Sequence, residues 1–481
     1  MNGSRRTRTP AVSGLVTVSE PGCMLRCVTA TEQVYRYARP SQLVPGADGD
    51  TVTFATSGGA SPAGLLLSPR FFDGFIGHAE QTAAALRVCA RVARTRFYTP
   101  MGALVAILAD PVVTSNGDRL RFESFSSCCG VYSRLDLLPG ALDGAMLGAG
   151  TTNVDFGPAI RQALAQVAGL DPMRLSVGAD DVTLRTLDGE AVERRVPLPR
   201  RWLKGFAEVQ LAASGMTLAA DLDRAAARSF LRELPSTWRG PAWAVPAGRG
   251  LRISPRGGPG AVCAGGPDRL RAAQPLARFV TGLRVYGAAG VDGMPGASAW
   301  EFRMADGRFW LVLSPEISRG FSGEGAVLPD LADGQASVDA GMIAARLAWE
   351  PRIDVARLAA DATVPADRVI RALGRLGAAG RVGYDLADGC YFHRELPYDP
   401  GAFEAMHPRL ADAHGLVREG AVTVTADGAT VTSGDVRYHV TRGADGDPCC
   451  TCAWWGKYRG SRGPCKHVLA AQLARSEAAA R

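Results

Sequence analysis

The chain has 481 residues, 47% hydrophobic and 21% charged, with 11 cysteines and a formal net charge of +7. This is the composition of a globular protein with ample apolar material for a core, at a length that suggests about three domains. No apolar run of about 18 residues is present, which excludes a membrane-spanning helix, and the mild positive charge permits contact with nucleic acid without requiring it.

The first residues, MNGSRRTRTPAVSGLVTVSE, lack the apolar core and cleavage site of a signal peptide, so the expected location is cytoplasmic. There, cysteines favour thiols and metal over disulfides. The lysines are Lys204, Lys457 and Lys466, against 54 basic residues in all. The arginine, alanine and glycine excess is that of a GC-rich coding bias, so arginine abundance alone identifies no phosphate-binding device.

Residues 1–30 have no periodicity and read as a disordered leader, with Met24 as a second candidate start. From about Thr31 a unit recurs: strand, glycine turn, strand, then a proline and an apolar cluster ending in Gly-Phe. Its copies run from Val52 to Phe75, from Val182 to Phe206 and from Trp300 to Phe321. Asp188-Gly189 and Asp306-Gly307 are hairpin turn signals, because glycine accepts positive φ. Apolar spacing predicts helices over His78–Arg96 and Leu218–Leu234, and a helix followed by a strand over Ala159–Val177 and again over Leu270–Val285. Residues 31–330 therefore read as one α+β body built by imperfect duplication, with mostly antiparallel strands. Chemistry is sparse in it. Cys128-Cys129 lies in a strand-like run and reads as two packed small side chains, since neighbours on a strand point to opposite faces. No phosphate loop, nucleophile elbow, zincin motif or dinucleotide fingerprint occurs.

Residues 322–340 are acidic and glycine-rich and read as a linker. Short helices come next, over Asp339–Trp349, Val355–Ala362 and from Pro365 to Leu376, then a hairpin around Ala387-Asp388-Gly389. Three helices and a β-wing are the order of a winged helix, over residues 338–398. In a DNA-binding winged helix the third helix would present Arg368, Arg371 and Arg375 to the major groove; otherwise these form a solvated face and the segment packs against its neighbours.

Near the end the chain reads Cys450-Thr451-Cys452, twelve residues, then Cys465-Lys466-His467. Three thiolates and an imidazole are the ligand set of a tetrahedral structural zinc. Alternating strands are expected at Ala421–Thr425, Ala429–Thr432 and Val436–Val440 before this cluster, and a helix after His467. The CxC spacing favours Cys450 over the adjacent Cys449. The pattern resembles the SWIM-type zinc finger over about residues 425–475, and the upstream region is similar to the uncharacterised companion region of actinobacterial SWIM proteins. The resemblance implies one zinc held by Cys450, Cys452, Cys465 and His467, and a role in DNA or protein binding. Within a domain spanning 420–475, the loop interleaves Trp454, Trp455 and Tyr458 with Lys457, Arg459, Arg462 and Lys466. Such a mixture suits phosphate contact and base stacking; the cations equally neutralise a site of net charge −1, and the aromatics equally cap a small core.

The expected protein is multidomain α+β: a duplicated antiparallel body, a winged-helix-like segment and a small ββα zinc-finger domain. The expected function is non-catalytic binding of DNA or a protein partner, with no small-molecule substrate. The alternatives are a protein-interaction subunit of a larger assembly and an enzyme with a site in residues 31–330. A catalytic zinc is disfavoured, because four protein ligands leave no open position.

Overall fold

The computed structural model describes residues 70–97, 111–288, 295–396, 406–443 and 446–479, with short strand traces between residues 42 and 66. The leader and most of the first repeat copy lie outside the described residues.

An 8-stranded antiparallel sheet organises the body, in the order 150–153, 112–115, 120–125, 131–137, 307–313, 298–304, 282–288 and 216–223. Its two faces arise from the period of two along each strand. Leu120, Phe122, Leu135, Phe309 and Leu311 point to one side, where they pack under helix α1 (Ala79–Arg94). The 3-10 helix Pro267–Leu276 and helix α4 (Arg224–Glu233) join α1 in that layer. Helix α2 (Pro158–Gln166), opened by a proline at its first position, lies beside α1. A 5-stranded sheet, in the order 189–194, 181–186, 174–178, 70–76 and 142–146, completes this side of the body.

The other face of the large sheet carries Phe125, Tyr132 and Trp310, which pack beneath helix α3 (Arg200–Ser214) through Trp202 and Phe206. After the sheet come α5 (Leu328–Leu331), α6 (Gly334–Ala344), α7 (Val355–Ala362), α8 (Ala366–Ala378) and a hairpin of Val382–Asp385 with Cys390–His393. Helix α9 (Pro408–Arg418), a 4-stranded antiparallel sheet from Val422 to Cys450, α10 (Ala453–Tyr458) and α11 (Lys466–Ala479) end the chain. One apolar cluster runs unbroken from Phe125 through Trp202, Leu328 and Leu410 to Cys465 and Leu469. The terminal module therefore shares a core with the body.

Several expectations are corrected. Residues 216–223 are a strand, and only Arg224–Glu233 is helical: the alternation from Met216 pairs with Gly282–Ala288 around a bulge, and Asp223 caps the next helix. Residues 322–340 are no linker, because Val327, Leu328 and Leu331 are buried in the shared core and α5 and α6 lie there. Cys128 and Cys129 sit in the turn between strands 120–125 and 131–137, with Cys129 at φ 54 and buried. The hairpins at Asp188-Gly189 and Asp306-Gly307 form as read, but in different sheets. The segments beyond their prolines also differ: α3 comes after the first hairpin, and a 3-10 turn, Phe321–Gly323, with Phe321 buried, after the second.

The 382–393 hairpin is fastened to the charged face of the sheet. Asp385, fully buried, meets Arg121 at 2.9 Å, Arg134 at 3.2 Å and Arg308 at 3.5 Å. Asp388 meets Arg119 at 2.9 Å, Arg308 at 3.1 Å and Arg352 at 2.9 Å. Arg121 also lies 4.0 Å over the Phe392 ring. Burial alone would raise the Asp385 carboxyl, but Arg134, Arg121, Arg308 and Arg119 outweigh it and hold the group well below the usual carboxylate range.

Candidate metal centre and its loop

The 4-stranded sheet brings the first two cysteines into place. Strand Pro448–Cys450 pairs with Val436–Arg442, and its alternation turns Cys450 inward, 7% exposed, while Cys449 points out and approaches the Asp447 carbonyl. Cys452 stands at the N-terminus of α10, where its sulfur accepts from the Trp455 N–H at 3.4 Å. Cys465 precedes α11 in the same way and accepts from the Val468 N–H at 3.5 Å. Two of the three sulfurs thus face helix N-termini, whose free amides and dipole favour the thiolate a metal needs.

His467 lies in the first turn of α11, 4% exposed, with Nδ1 3.7 Å from the Cys450 sulfur and the Tyr438 ring stacked on it at 4.1 Å. The ligand atoms of Cys450, Cys452, Cys465 and His467 all lie within 4.8 Å of one another. Tetrahedral zinc with Zn–S of about 2.3 Å has ligand–ligand edges of about 3.7 Å, so the donor set and its spacing fit. Among the protein groups alone, the Cys450 thiol, followed by His467, lowers Cys465 to about 4, while Cys450 itself is pushed up by Cys465. Zinc bound there would hold strands and helices together and would leave no coordination position for substrate.

The basic loop divides. Arg462 donates to the Gly323 carbonyl at 2.8 Å, and Lys466 reaches Asp412 at 3.5 Å. Trp454 packs beneath Arg409, 4.5 Å from its ring centre, and Arg409 donates to the carbonyls of Arg462, Pro464 and Glu324. Trp455 is half-buried against the shared core. Lys457 and Arg459 are exposed and have no carboxylate partner among the described residues, while Tyr458 lies between Lys457 and Arg462. Sequence reasoning misses Arg409 and Tyr438: they lie outside the ligand pattern, and only their packing assigns them to the centre.

The arginines of α8 are placed elsewhere. Arg368 grips Asp339 of α6 with two nitrogens, at 2.8 and 2.5 Å, and Arg375 donates to the carbonyls of Asp330 and Leu331. Arg371 pairs with Asp367 on its own helix. The helix is wedged between α6 and α3, so the structure does not bring these residues together with the finger loop into one surface.

The SWIM zinc finger family model matches residues 438–475. No curated protein matches the chain. Among solved structures, the crystal structure of Proliferating Cellular Nuclear Antigen from Entamoeba histolytica is similar at a TM-score of 0.33 and 10% identity, covering 51% of this chain and 99% of that one; likeness at that level carries no functional weight. No described helix is long and apolar enough to cross a membrane. Residues 438–475 are a SWIM zinc finger, and Cys450, Cys452, Cys465 and His467 form its site for one structural zinc ion.

Proposed function

We propose that this chain is a non-catalytic binding protein whose zinc finger contacts nucleic acid, DNA in the first instance, through Lys457 and Arg459. The division of the basic loop carries this reading. Arg462 and Lys466 are engaged by groups of this chain, whereas Lys457 and Arg459 stand exposed, Lys457 over the half-buried Tyr458 ring. Two exposed cations without a carboxylate partner among the described residues suit contact with backbone phosphates. The winged-helix-like run from α6 to the 382–393 hairpin acts as scaffold in this proposal, since Arg368 and Arg375 of its third helix are engaged internally. We read the body as a duplicated framework that carries the finger.

Duplex binding by the full-length, zinc-loaded chain tests this across a salt series. Lys457→Ala/Arg459→Ala should reduce the slope of log affinity against log salt by about 2, at about 0.9 for each phosphate no longer neutralised. An unchanged slope would refute the finger as the contact. A protein partner is the second reading, favoured by the edge strand Val422–Thr425 and by exposed Val424 and Val436 on that sheet. A nuclease-resistant complex that Val424→Glu disrupts, with no duplex binding, would select it.

A further inference from the structure

We propose that the cleft between α1 and α2 is a second nucleic-acid contact, gripping duplex backbone phosphates on the opposite side of the large sheet from the zinc finger. The cleft has a volume of about 500 Å³ and is walled by Arg87, Arg91 and Arg94 of α1 and Arg161 of α2. Its other polar lining residues, Thr95 and Gln162, are neutral, and among the described residues no carboxylate lines it.

Arg87, Arg91 and Arg94 recur at i, i+4 and i+7, which puts them on one face of α1, and all are exposed. The opposite face, with Leu86, Cys89 and Val92, is sunk in the core. None of the three has an ion-pair partner among the described residues, whereas Glu80 of the same helix is taken by Arg278 at 2.6 Å. The body's arginines elsewhere are often paired: Arg121, Arg134, Arg284 and Arg303 all meet carboxylates. Like charges one turn apart destabilise a helix. A favourable interaction with the helix C-terminus accounts for Arg91 and Arg94, which lie in the last turn, but not for Arg87 or Arg161. Arg161 donates from Nε to the carbonyls of Phe156 and Gly157 at 3.0 and 3.1 Å, which anchors it at the wall.

A row, rather than a ring, of guanidinium groups selects the ligand. From Arg87 to Arg94 the helix rises about 10 Å, against one phosphate per about 3.4 Å of axis along each duplex strand. A free phosphate would call for converging donors; these are strung out. The same helix layer holds a second row, Arg224, Arg228 and Arg232 on α4, with Arg224 and Arg232 exposed. Charge complementarity over such a surface points to an extended polyanion.

The test uses full-length, zinc-loaded protein and a labelled 20-base-pair duplex across a salt series. Replacing Arg87, Arg91 and Arg94 together by Ala should shrink the log–log salt slope by about 2.7, at about 0.9 for each phosphate, and replacing them by Lys should restore it. Zinc content should be unchanged, because the side chains are exposed. As a control, Ala at Arg239, Arg252 and Arg256, exposed in and around the 3-stranded sheet of Gly250–Ser254, Trp243–Ala247 and Val262–Cys263, should leave the slope nearly intact. An unchanged slope in the α1 variant, or an equal fall in the control, would overturn the proposal. So would saturable binding of ATP at the cleft with no duplex binding, which would assign it to a small phosphorylated molecule. Because Lys457→Ala/Arg459→Ala leaves the cleft intact, loss of slope in only one of the two variants tells which contact is real.

Discussion

Replacing Asp385 by Asn tests whether the charge knot beneath the 382–393 hairpin holds the fold. The substitution keeps shape and removes one negative charge from a point where Asp385 and Arg121 are 0% exposed and Arg134 is 4% exposed. Asp136, 2.9 Å from Arg134, would then face several buried guanidinium groups with only part of the counter-charge. Removing one partner of a buried pair costs about 3–5 kcal/mol, because the remaining charge is left uncompensated. That is a large share of the roughly 5–15 kcal/mol that stabilises a typical native fold. Urea denaturation with zinc in excess measures it, and a drop of about 3 kcal/mol or more is expected. The double variant Asp385→Asn/Arg121→Gln should recover part of the loss, since it also removes an orphaned cation. The pH dependence has a definite sign. The folded-state pKa of Asp385 is depressed, so its contribution is present above the ordinary Asp value of about 3.9 and is lost as pH falls below it; Asp385→Asn should lack that acid-induced loss. A cost below about 1 kcal/mol, or a double variant no more stable than the single one, would refute the view that the hairpin is docked by charge.

Burial pushes Glu208 of α3 up to about 8, partly offset by the N–H groups of Val327 and Ala326. The unfolded chain therefore ionises first, near pH 4.3, and stability should decline from there to about pH 8 by a few kcal/mol; Glu208→Gln should flatten that window, and parallel pH curves would contradict the assignment. Cys465→Ser should abolish stoichiometric zinc, as metal analysis would show. Because Gln472 of α11 donates to the Pro329 carbonyl at 2.8 Å and α11 packs on α9, the damage should reach the body as new proteolytic cleavage near residues 320–330; full zinc retention would mean a different ligand set. Gly463 has φ +76, and a Cβ there would strike the Gly325 backbone. Gly463→Ala should lower stability by about 2 kcal/mol while zinc stays bound, and an unchanged melting temperature would show that the loop docks in some other way.

The features legible in the chain alone are local. The CxC and CxH spacing, the Asp-Gly turns and the hairpin at Ala387–Gly389 depend on residues within a few positions of one another. The helix Val355–Ala362 forms where its sequence predicts, because Asp354 caps it from the adjacent position. The ligand choice of Cys450 over Cys449 is also local, once the strand's alternation is in place. The tertiary structure decided which side of each element is covered. Arg368 and Arg375 carry the same charge as Lys457 and Arg459, yet the first pair is consumed by Asp339 and by the end of α5. Leu218–Leu234 carries apolar residues at helical spacing, but the neighbouring strand from residue 282 onward claims its first six residues. Asp385 and Arg121 meet across 264 positions, a distance over which periodicity holds no information. Spacing and capping are set by covalent neighbours, whereas burial and pairing are set by whichever surface arrives, and the latter determines which cations remain exposed.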